Sequence, residues 1–451
     1  MRLIALIVAL SVAAGVQAQS ADVVTGPPGD QTISQPPNTN LNVNRFEKIR
    51  FADQFPGSDI GAKVNAAITD LGSGGGVVEI PAGSYSFSTT IEINQSYAWV
   101  RCQGWATILT YTGTGTAVII GNSSSPGISP ATIYAVRFSN CTLRGQGSGT
   151  GIYVESRMIN GYWSGTSIDH VNFDSGGNGF QTFIEHGDYA EGGTSYDNYI
   201  QNNRILLNNG QSSSYSGVGI DVPMKSHNLV ISNNIIQDRE QNATNPSDSS
   251  ICVRVANSSS VKVINNNIEG CGTANVQVGL TQFGSLQTYG TLVMGNYFEP
   301  LHSSTLDVDV GKYATGTIIE GNYMNGDASQ NHLIQIEDCS YATVIQNNTQ
   351  LSVATSAVNN LTNSCGNAIT IAGNRFNGST YIHGTTGISY WQDPNTQSLT
   401  LGSVAYSNLP SARSKPNGTL MYCSNCNIAS SCSSGGTGAI AKTINGAWVC
   451  N

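Results

Sequence analysis

Short runs in which apolar and polar residues alternate recur through the middle of the chain. Examples are "NVQV" at 275–278, "LDVDV" at 306–310 and "LIQI" at 333–336. A period of two places successive side chains on opposite faces and predicts β-strands. No repeat contains a long stretch of helical periodicity, so the helical solenoids are excluded. The pattern therefore predicts an all-β protein built from short strands.

A phrase of the form apolar–x–Gly/Asn–Asn–x–apolar accompanies these runs at a regular interval. The asparagines of its seven copies are Asn203, Asn234, Asn266, Asn296, Asn322, Asn348 and Asn374. The last three steps are equal at 26 (322−296, 348−322, 374−348), and the earlier steps are 31, 32 and 30. Such a period indicates a solenoid or a propeller, and a propeller blade needs about 40 residues. Coils as short as these, with short strands, predict a parallel β-helix.

The recurring asparagine has a physical role in such a coil. Every coil turns a corner at the same place, and Asn or Gly tolerates the left-handed backbone conformation that such corners use. Stacked asparagines can also hydrogen-bond along the axis and pair amides that the corner would otherwise bury without a partner. We therefore expect the asparagine side chains to stack from coil to coil.

Residues 58–72 precede the repeats and have the pattern of one amphipathic helix. Ser58 is a favourable N-cap, Asp59 lies in the first turn where the helix dipole favours an anion, and Gly72 ends the helix. The apolar positions that share one face are Ile60, Val64, Ala67, Ile68 and Leu71. We expect this helix to cover the open first coil of the solenoid.

The segment "GSDIGAKVNAAI…GGGVVEIPAGSYSF" at 57–87 resembles the opening of the pectate-lyase-like superfamily. That superfamily contains polysaccharide lyases, polygalacturonase-type hydrolases and phage tailspikes. The resemblance implies a right-handed, single-stranded parallel β-helix with an N-terminal capping helix, which the asparagine repeat extends to about residue 390. Because functions vary widely on one scaffold, activity does not follow from this fold.

The catalytic phrases of the superfamily are mostly missing. The chain lacks the Asn-Thr-Asp, Asp-Asp and Gly-His-Gly phrases of polygalacturonase-type hydrolases. "SIDHVNF" at 167–173 is similar to a phrase of calcium-dependent pectate lyases, with Ser167 at the usual Trp position. This resemblance implies that Asp169 is a calcium ligand, but the arginine phrase that accompanies it in those lyases is absent. The other interpretation is that Asp169 and His170 form an exposed polar pair on a strand.

The amino-acid composition and net charge restrict the kinds of molecule that the protein is expected to bind. Only 10 % of the residues are charged and 51 of 451 are Gly, which is typical of a regular β-structure with many turns. The net charge is −9 and the chain has no basic patch, so nucleic acid and anionic membranes are poor partners. A polysaccharide is the expected partner. The oligomeric state is open, a trimer being one possibility.

The chain divides into four segments. Arg2, an apolar run at 3–14 and the small-residue site Val16-Gln17-Ala18 predict a secretory signal at 1–18. Its core is shorter than the ~20 apolar residues of a membrane span. Residues 19–44 are expected to be a flexible leader, 45–390 the β-helix, and 391–451 a linker with a small cysteine-rich module. We expect an exported protein, extracellular or periplasmic, without a membrane span.

Spacing and context point to disulfides at six cysteines. Those of the C-terminal module are Cys423, Cys426, Cys432 and Cys450. An even count in an exported chain favours two disulfides, with the pairing open, over a metal knuckle. Cys339 and Cys365 precede their coil's asparagine by the same interval (348−339 = 374−365), so they occupy neighbouring coils at a backbone distance that suits a disulfide. Two reduced, buried cysteines are the alternative.

Counting back from each asparagine predicts one outward column of polar side chains. Asp221 and Asp309 precede their asparagines by the same interval (234−221 = 322−309), and Arg254 is one position closer to its own (266−254). Their neighbours in the chain are apolar and should face inward. The expected column is Glu155 or Tyr153, then Glu185, Asp221, Arg254, Gln277, Asp309 and Gln335.

This column is the candidate active site. Carboxylates on adjacent or next-adjacent coils fall about 5 to 10 Å apart, which covers the separation of glycosidic acid–base pairs. We expect Glu155, Glu185 and Asp221 to supply the acid and the base, and Arg254 to stabilise an enolate-like intermediate if the reaction is an elimination. Gln277 and Asp309 are expected to bind substrate.

Long insertions beside the column predict a walled groove. They span 186–198, 208–217 and 238–250, and carry Tyr189, Tyr196 and Tyr215, which could stack on sugar rings. Two functions follow. One is an exported enzyme that cleaves a polysaccharide by hydrolysis or β-elimination, without a cofactor or with calcium. The other is a non-catalytic extracellular protein that uses the β-helix as a carbohydrate-binding or structural rod.

Overall fold

The computed structural model describes residues 48–451 apart from a set of gaps, together with the paired strands Val23–Thr25 and Thr32–Ser34 in the predicted leader. The gaps are 122–132, 156–164, 175–178, 188–194, 208–214, 239–248, 280–286, 301–304, 327–330, 338–339, 351–355, 362–368, 377–381, 384–387, 394–397, 401–402 and 416. The predicted signal at 1–18 lies outside the described residues. Among those that are described, no helix has the length and apolar character needed to cross a membrane.

The single α-helix of the described chain spans Ile60–Leu71. Its predicted apolar face is buried, and Gly72 ends it at φ 64°. The predicted N-cap was wrong by one residue: Asp59 caps the helix by accepting a hydrogen bond from the Ala62 N–H. The other oxygen of Asp59 accepts from the backbone of Ser88 and Thr89. The single hydroxyl of Ser58 could not make both sets of hydrogen bonds. The two oxygens of the Asp59 carboxylate make them and so join the helix to the first coil.

Three parallel sheets run the length of the β-helix, and the chain visits them in turn in each coil. The first sheet contains Ile49–Phe51, Gly76–Ile80, Ala98–Cys102, Arg137–Ser139, Ser167–Asp169, Tyr199–Gln201, Val230–Ser232, Lys262–Ile264, Leu292–Met294, Ile318–Glu320, Thr343–Gln346, Ile369–Ala372, Ile388–Asp393 and the antiparallel Ser398–Thr400. The second contains Ser84–Phe87, Ile108–Tyr111, Thr142–Arg144, Asn172–Phe173, Arg204–Leu207, Ile235–Asp238, Asn267–Glu269, Tyr297–Glu299, Tyr323–Met324 and Thr349–Gln350. The third contains Ile91–Ile93, Thr116–Ile120, Thr150–Val154, Thr182–His186, Val218–Val222, Ile251–Val255, Ala274–Val278, Leu306–Val310, His332–Ile336, Ser356–Asn360 and Ile382–His383.

Smaller elements complete the chain. Two short parallel pairs, Ser195–Tyr196 with Ser226–His227 and Thr288–Tyr289 with Ala314–Thr315, lie between the third and first sheets in chain order. The C-terminal module contains Ser403–Val404, Leu420–Cys423, Ala439–Ile444 and Ala447–Cys450 in one sheet, and Cys426–Asn427 with Ser433–Ser434 in another. The 3₁₀-helices among the described residues are Ala52–Gln54, Gly72–Gly74, Tyr406–Asn408 and Ala412–Ser414. An all-β solenoid with a capping helix and a cysteine-rich end is confirmed.

The asparagines form a buried ladder at the corner between the first and second sheets. Each donates its backbone N–H and its side-chain amide to Oδ1 of the asparagine one coil further on; for Asn348 and Asn374 both distances are 2.9 Å. The ladder is unbroken from Asn203 to Asn374. The left-handed residue is the one before each ladder asparagine, such as Asn347 at φ 56°. In each copy of the repeated phrase, the residue before the asparagine adopts the left-handed corner conformation, and the asparagine itself forms the ladder.

Disulfides reinforce both parts of the molecule. The predicted C-terminal disulfides are confirmed as Cys423–Cys426 and Cys432–Cys450, so these sulfurs are not free thiolates for a metal. Two further bridges, Cys102–Cys141 and Cys252–Cys271, were not predicted. Cys339 and Cys365 both lie outside the described residues, and their bridge stays a prediction.

One interior position holds an ionisable group. Asp307 is fully buried inside the coil, where the Asn275 side-chain amide donates to it at 3.0 Å. Burial raises the pKa of Asp307 to about 7, and the hydrogen bond from Asn275 offsets only part of that effect. The folded protein therefore holds a proton here that the unfolded chain releases above its ordinary pKa of 3.8.

This proton predicts a pH dependence of stability. Because the folded state binds the additional proton, its contribution to stability is complete below about pH 4 and is lost as pH rises towards 7. We expect Asp307→Asn to remove that loss, so its advantage over wild type should grow by roughly 3–4 kcal/mol between pH 4 and pH 8. Denaturant unfolding at both pH values measures this, with Asp174→Asn as the control, since the Asp174 side chain is about one third exposed. Parallel pH profiles for wild type and Asp307→Asn would contradict the assignment.

Candidate functional site

The predicted polar column exists on the outward face of the third sheet. Its members are directly paired from strand to strand in the order Tyr153, Glu185, Asp221, Arg254, Gln277, Asp309, Gln335 and Asn359. The residues on either side of each, such as Ile220 and Val222 around Asp221, are fully buried. Strand spacing sets successive members about 4.8 Å apart at the backbone.

Glu155 does not stand in this column. The column position on its strand belongs to Tyr153, which pairs with Glu185. Glu155 follows the end of that strand, where its backbone N–H donates to Ile120 O and its side chain is buried beside Gly121. The missing Cβ of Gly121 makes room for this carboxylate, because an added Cβ would lie 2.8 Å from Glu155 Oε2. The prediction of Glu155 as a column member was wrong.

Asp221 and Arg254 form an ion pair across adjacent coils. The Arg254 Nε donates to Asp221 Oδ1 at 2.9 Å, and Nη2 donates to Oδ2. Asp221 is buried, whereas Arg254 keeps about a fifth of its side chain exposed. Glu185 is the next member of the column and is half-buried. Both oxygens of Asp221 are thus engaged, which suits positioning of Arg254 better than proton transfer. The catalytic roles of Glu185, Asp221 and Arg254 stay predictions.

Asp309 is the column carboxyl best suited to donate a proton. It is 5 % exposed, and the Gln277 amide donates to its Oδ2 at 3.0 Å. Burial raises the pKa of Asp309 to about 6; the Gln277 hydrogen bond lowers it, and the negative charge of Glu337 raises it further. Oδ1 is buried and makes no hydrogen bond within the described residues, and Gln335 on the next strand also lowers the pKa of this carboxyl. The carboxyl is therefore partly protonated near neutral pH.

Glu337 is the functional candidate that sequence reasoning missed. It follows the end of the strand His332–Ile336, two residues beyond Gln335, the partner of Asp309, and its side chain is half-buried. Its Oε2 accepts from the Lys312 backbone N–H at 3.2 Å. Strand spacing places the backbones of Asp309 and Glu337 roughly 8 Å apart. Strand alternation could not have found it, because the same extension at the equivalent position selects Glu155, which is buried.

The three tyrosines that were predicted to stack on sugar rings lie in different environments. Tyr189 and most of the predicted wall loops lie outside the described residues. Tyr196 is stacked on His227, with ring centroids 5.0 Å apart. Tyr215 is buried and its hydroxyl donates to Phe180 O at 2.7 Å, so the prediction that it stacks on a sugar was wrong. Its ring packs in the core because that backbone carbonyl satisfies its polar end.

Asp169 lies on the first sheet, away from the column. Its oxygens accept from Arg137 Nε at 2.6 Å and Nη2 at 2.5 Å, and they also contact Ser167 Oγ and His170 Nδ1. Burial alone would raise the pKa of Asp169, but the hydrogen bonds and charge of Arg137 together with His170 hold it below its usual value. A calcium ion would have to displace Arg137, and calcium at Asp169 stays a prediction.

Solved structures share the fold at low sequence identity. The DFA-IIIase from Arthrobacter chlorophenolicus A6, in complex with DFA-III, is 14% identical with a TM-score of 0.50, over 74% of this chain and 83% of that one. The Dettilon tailspike protein is 15% identical with a TM-score of 0.50, over 89% and 90%. PfbA, a surface adhesin of Streptococcus pneumoniae, is 12% identical with a TM-score of 0.48, over 89% and 97%.

No protein-family model matches the chain, and no curated protein matches it. The likeness to the enzyme and the tailspike shows the fold alone. The chain shares with them the right-handed parallel β-helix fold that the segment at 57–87 implied.

Proposed function

We propose that the protein is an exported carbohydrate-active enzyme that cleaves a polysaccharide on the outer face of the third sheet. The observation that carries the proposal is the column from Glu185 to Asn359, where carboxyl, guanidinium and amide groups repeat at the strand spacing. Such groups are hydrogen-bond partners for sugar hydroxyls. A regular row of them suits a ligand that itself repeats, which is a polymer.

Asp309 and Glu337 are the acid and the base in this proposal. Protonated Asp309 gives its proton to the glycosidic oxygen as the bond to the anomeric carbon breaks. Glu337 takes a proton from the water that attacks that carbon, and the two carboxyls exchange protons with solvent after turnover. If the two carboxyl groups stand as far apart as their backbones, roughly 8 Å, they leave room for the water, as in inverting hydrolases. We expect inversion at the anomeric carbon.

The other column residues hold the polymer. Glu185 lies directly beside Asp221 on the neighbouring strand. The Asp221 carboxylate fixes the Arg254 guanidinium, and the exposed part of Arg254 can donate hydrogen bonds to sugar oxygens. If the substrate is a uronate, the same cation would stabilise the charge that develops in an elimination. Elimination is therefore the second chemistry of the same site.

A panel of neutral and uronate polysaccharides tests the proposal. Secreted protein is incubated with each polymer, and new reducing ends are measured together with the ultraviolet absorbance of unsaturated products. Reducing ends without absorbance support hydrolysis, and both signals together support elimination. Retention on a polymer without any cleavage would instead support the non-catalytic carbohydrate-binding alternative. We expect cleavage of at least one polymer, lost in Asp309→Asn.

Gln277→Leu is expected to move the pH profile of cleavage. The Gln277 amide lowers the pKa of Asp309, so its removal should raise that pKa and keep the acid protonated to higher pH. The descending limb of kcat/KM should shift upward by roughly half to one pH unit. Gln237→Leu is the control, because that amide donates to Glu269 on the second sheet. If the descending limb of the kcat/KM profile stays at the wild-type pH in Gln277→Leu, or shifts equally in both variants, Asp309 is ruled out as the acid.

A further inference from the structure

The outer face of the first sheet carries a second cluster near the N-terminal end. Trp99 and Arg137 are direct neighbours on adjacent strands, and Arg101 follows on the same strand as Trp99. Both guanidinium groups lie over the Trp99 ring, with Cζ 4.9 Å (Arg101) and 4.5 Å (Arg137) from its centroid. The indole N–H donates to Ser139 Oγ at 2.7 Å. Ring and guanidinium groups are therefore held in fixed positions.

Trp105 and His170 continue this cluster to the corner of the coil. Trp105 is 47 % exposed, and its indole N–H donates to His170 O at 2.7 Å. The Thr142 hydroxyl donates to the backbone carbonyl of Trp105 at 2.8 Å. His170 is more than half exposed and its Nδ1 contacts Asp169. The indole is thus anchored by its edge while nearly half of its surface faces solvent.

The charges of this cluster are paired within it. Glu79 accepts from Arg101 Nε at 2.9 Å and Nη2 at 2.7 Å, and Asp169 accepts from both Nε and Nη2 of Arg137. Two carboxylates therefore balance two guanidinium groups. An anionic polymer would meet no excess of positive charge here, since each cation already has its counter-ion. With both oxygens engaged by Arg137, Asp169 is also poorly placed to exchange protons with a ligand.

We propose that Trp99, Arg101, Trp105, Arg137 and His170 form a platform that binds a neutral saccharide without cleaving it. The exposed indole of Trp105 offers an apolar face for the C–H face of a sugar ring. Arg137, with 40 % of its side chain exposed, and His170 offer donors to the ring hydroxyls. A preorganised aromatic surface binds with little loss of side-chain entropy.

The platform can extend along the β-helix axis. The register column of Trp99 continues through Arg137 and Ser167 to Tyr199, which is 41 % exposed. A second aromatic group about three strand spacings from Trp99 suits a saccharide longer than one ring. Because the platform lies on the first sheet and the polar column on the third, it can hold one part of a polymer without occupying the column.

Affinity electrophoresis in gels that contain one polymer tests the platform. The polymers are galactomannan, dextran and xyloglucan as neutral probes, and polygalacturonate and heparin as anionic ones. All variants are made in an Asp309→Asn background, so that no polymer is degraded. We expect retardation by at least one neutral polymer and about tenfold weaker binding in Trp105→Ala. Trp105→Phe, which keeps a ring but loses the indole N–H, should bind with intermediate strength.

Tyr289→Ala is the matched control, since Tyr289 is 49 % exposed on one of the short strands outside the first sheet. It should bind within about twofold of the parent. Near-ultraviolet circular dichroism checks that each variant is folded. Retardation by anionic polymers alone, by no polymer, or equally in the parent and Trp105→Ala would overturn the platform. None of these results depends on cleavage, so the proposed enzymatic function can fail while the platform stands.

Discussion

Replacement of Asp309 by Asn is expected to lower the rate of polysaccharide cleavage by a factor of roughly 10²–10⁴. The change keeps the size of the side chain and its contact with Gln277 but removes the only proton that Asp309 could give to a leaving oxygen. Since burial raises the pKa of Asp309 to about 6, the wild-type carboxyl has a desolvation cost for ionising that the amide does not have. The melting temperature should therefore be unchanged or slightly higher.

The matched control for this variant is Asp174→Asn. Asp174 pairs with Arg144, is about one third exposed, and lies near the second sheet. Its replacement should leave the rate within about twofold of wild type. Initial rates of reducing-end release on the polymer that the wild type cleaves decide the matter. A wild-type rate in Asp309→Asn would remove Asp309 from the mechanism and return attention to Glu185 and Asp221.

The second large effect concerns the ladder. Asn348→Ala should lower the free energy of unfolding by about 3–5 kcal/mol, because four hydrogen bonds disappear in a buried corner. The lost bonds are those from Asn348 Nδ2 to Asn374 and to Ile319 O, and those that Asn348 Oδ1 accepts from the backbone and side chain of Asn322. The Asn322 N–H and Ile319 O are left without these partners.

Asn347→Gly provides the control one residue away. Asn347 is exposed and left-handed at φ 56°, a conformation that Gly adopts at the equivalent positions 295, 321 and 373. Its replacement should change stability by less than about 1 kcal/mol. Denaturant unfolding of both variants gives the comparison. Equal losses in the two variants would mean that the corner needs an asparagine for its backbone conformation and not for the ladder.

The fold was predictable because its signals are periodic. The constant step between Asn296, Asn322 and Asn348 reports the length of a coil directly, and alternation in "LDVDV" reports which side chains face out. Counting from the asparagines was accurate enough to align Asp221, Arg254 and Asp309, because loop insertions in those coils fall outside the counted stretch.

The chemistry of the site was less predictable because it depends on burial and on contacts between coils. The sequence shows that Asp309 faces outward, but its raised pKa comes from desolvation and from Glu337 on the next coil. Tyr215 lies in a predicted loop, yet it is buried because its hydroxyl donates to the Phe180 carbonyl. Glu155 continues the alternation of its strand, but the strand ends at Val154. None of these facts has a local sequence signal.

The central claim is that the polymer is cleaved on the third sheet beside Asp309. A structure of the Asp309→Asn variant with an oligosaccharide of the cleaved polymer tests it most directly. We expect the scissile glycosidic oxygen within about 3 Å of the side chain at position 309, and a water between the anomeric carbon and the Glu337 carboxylate. A saccharide bound only on the first or second sheet, with the column empty, would contradict the account.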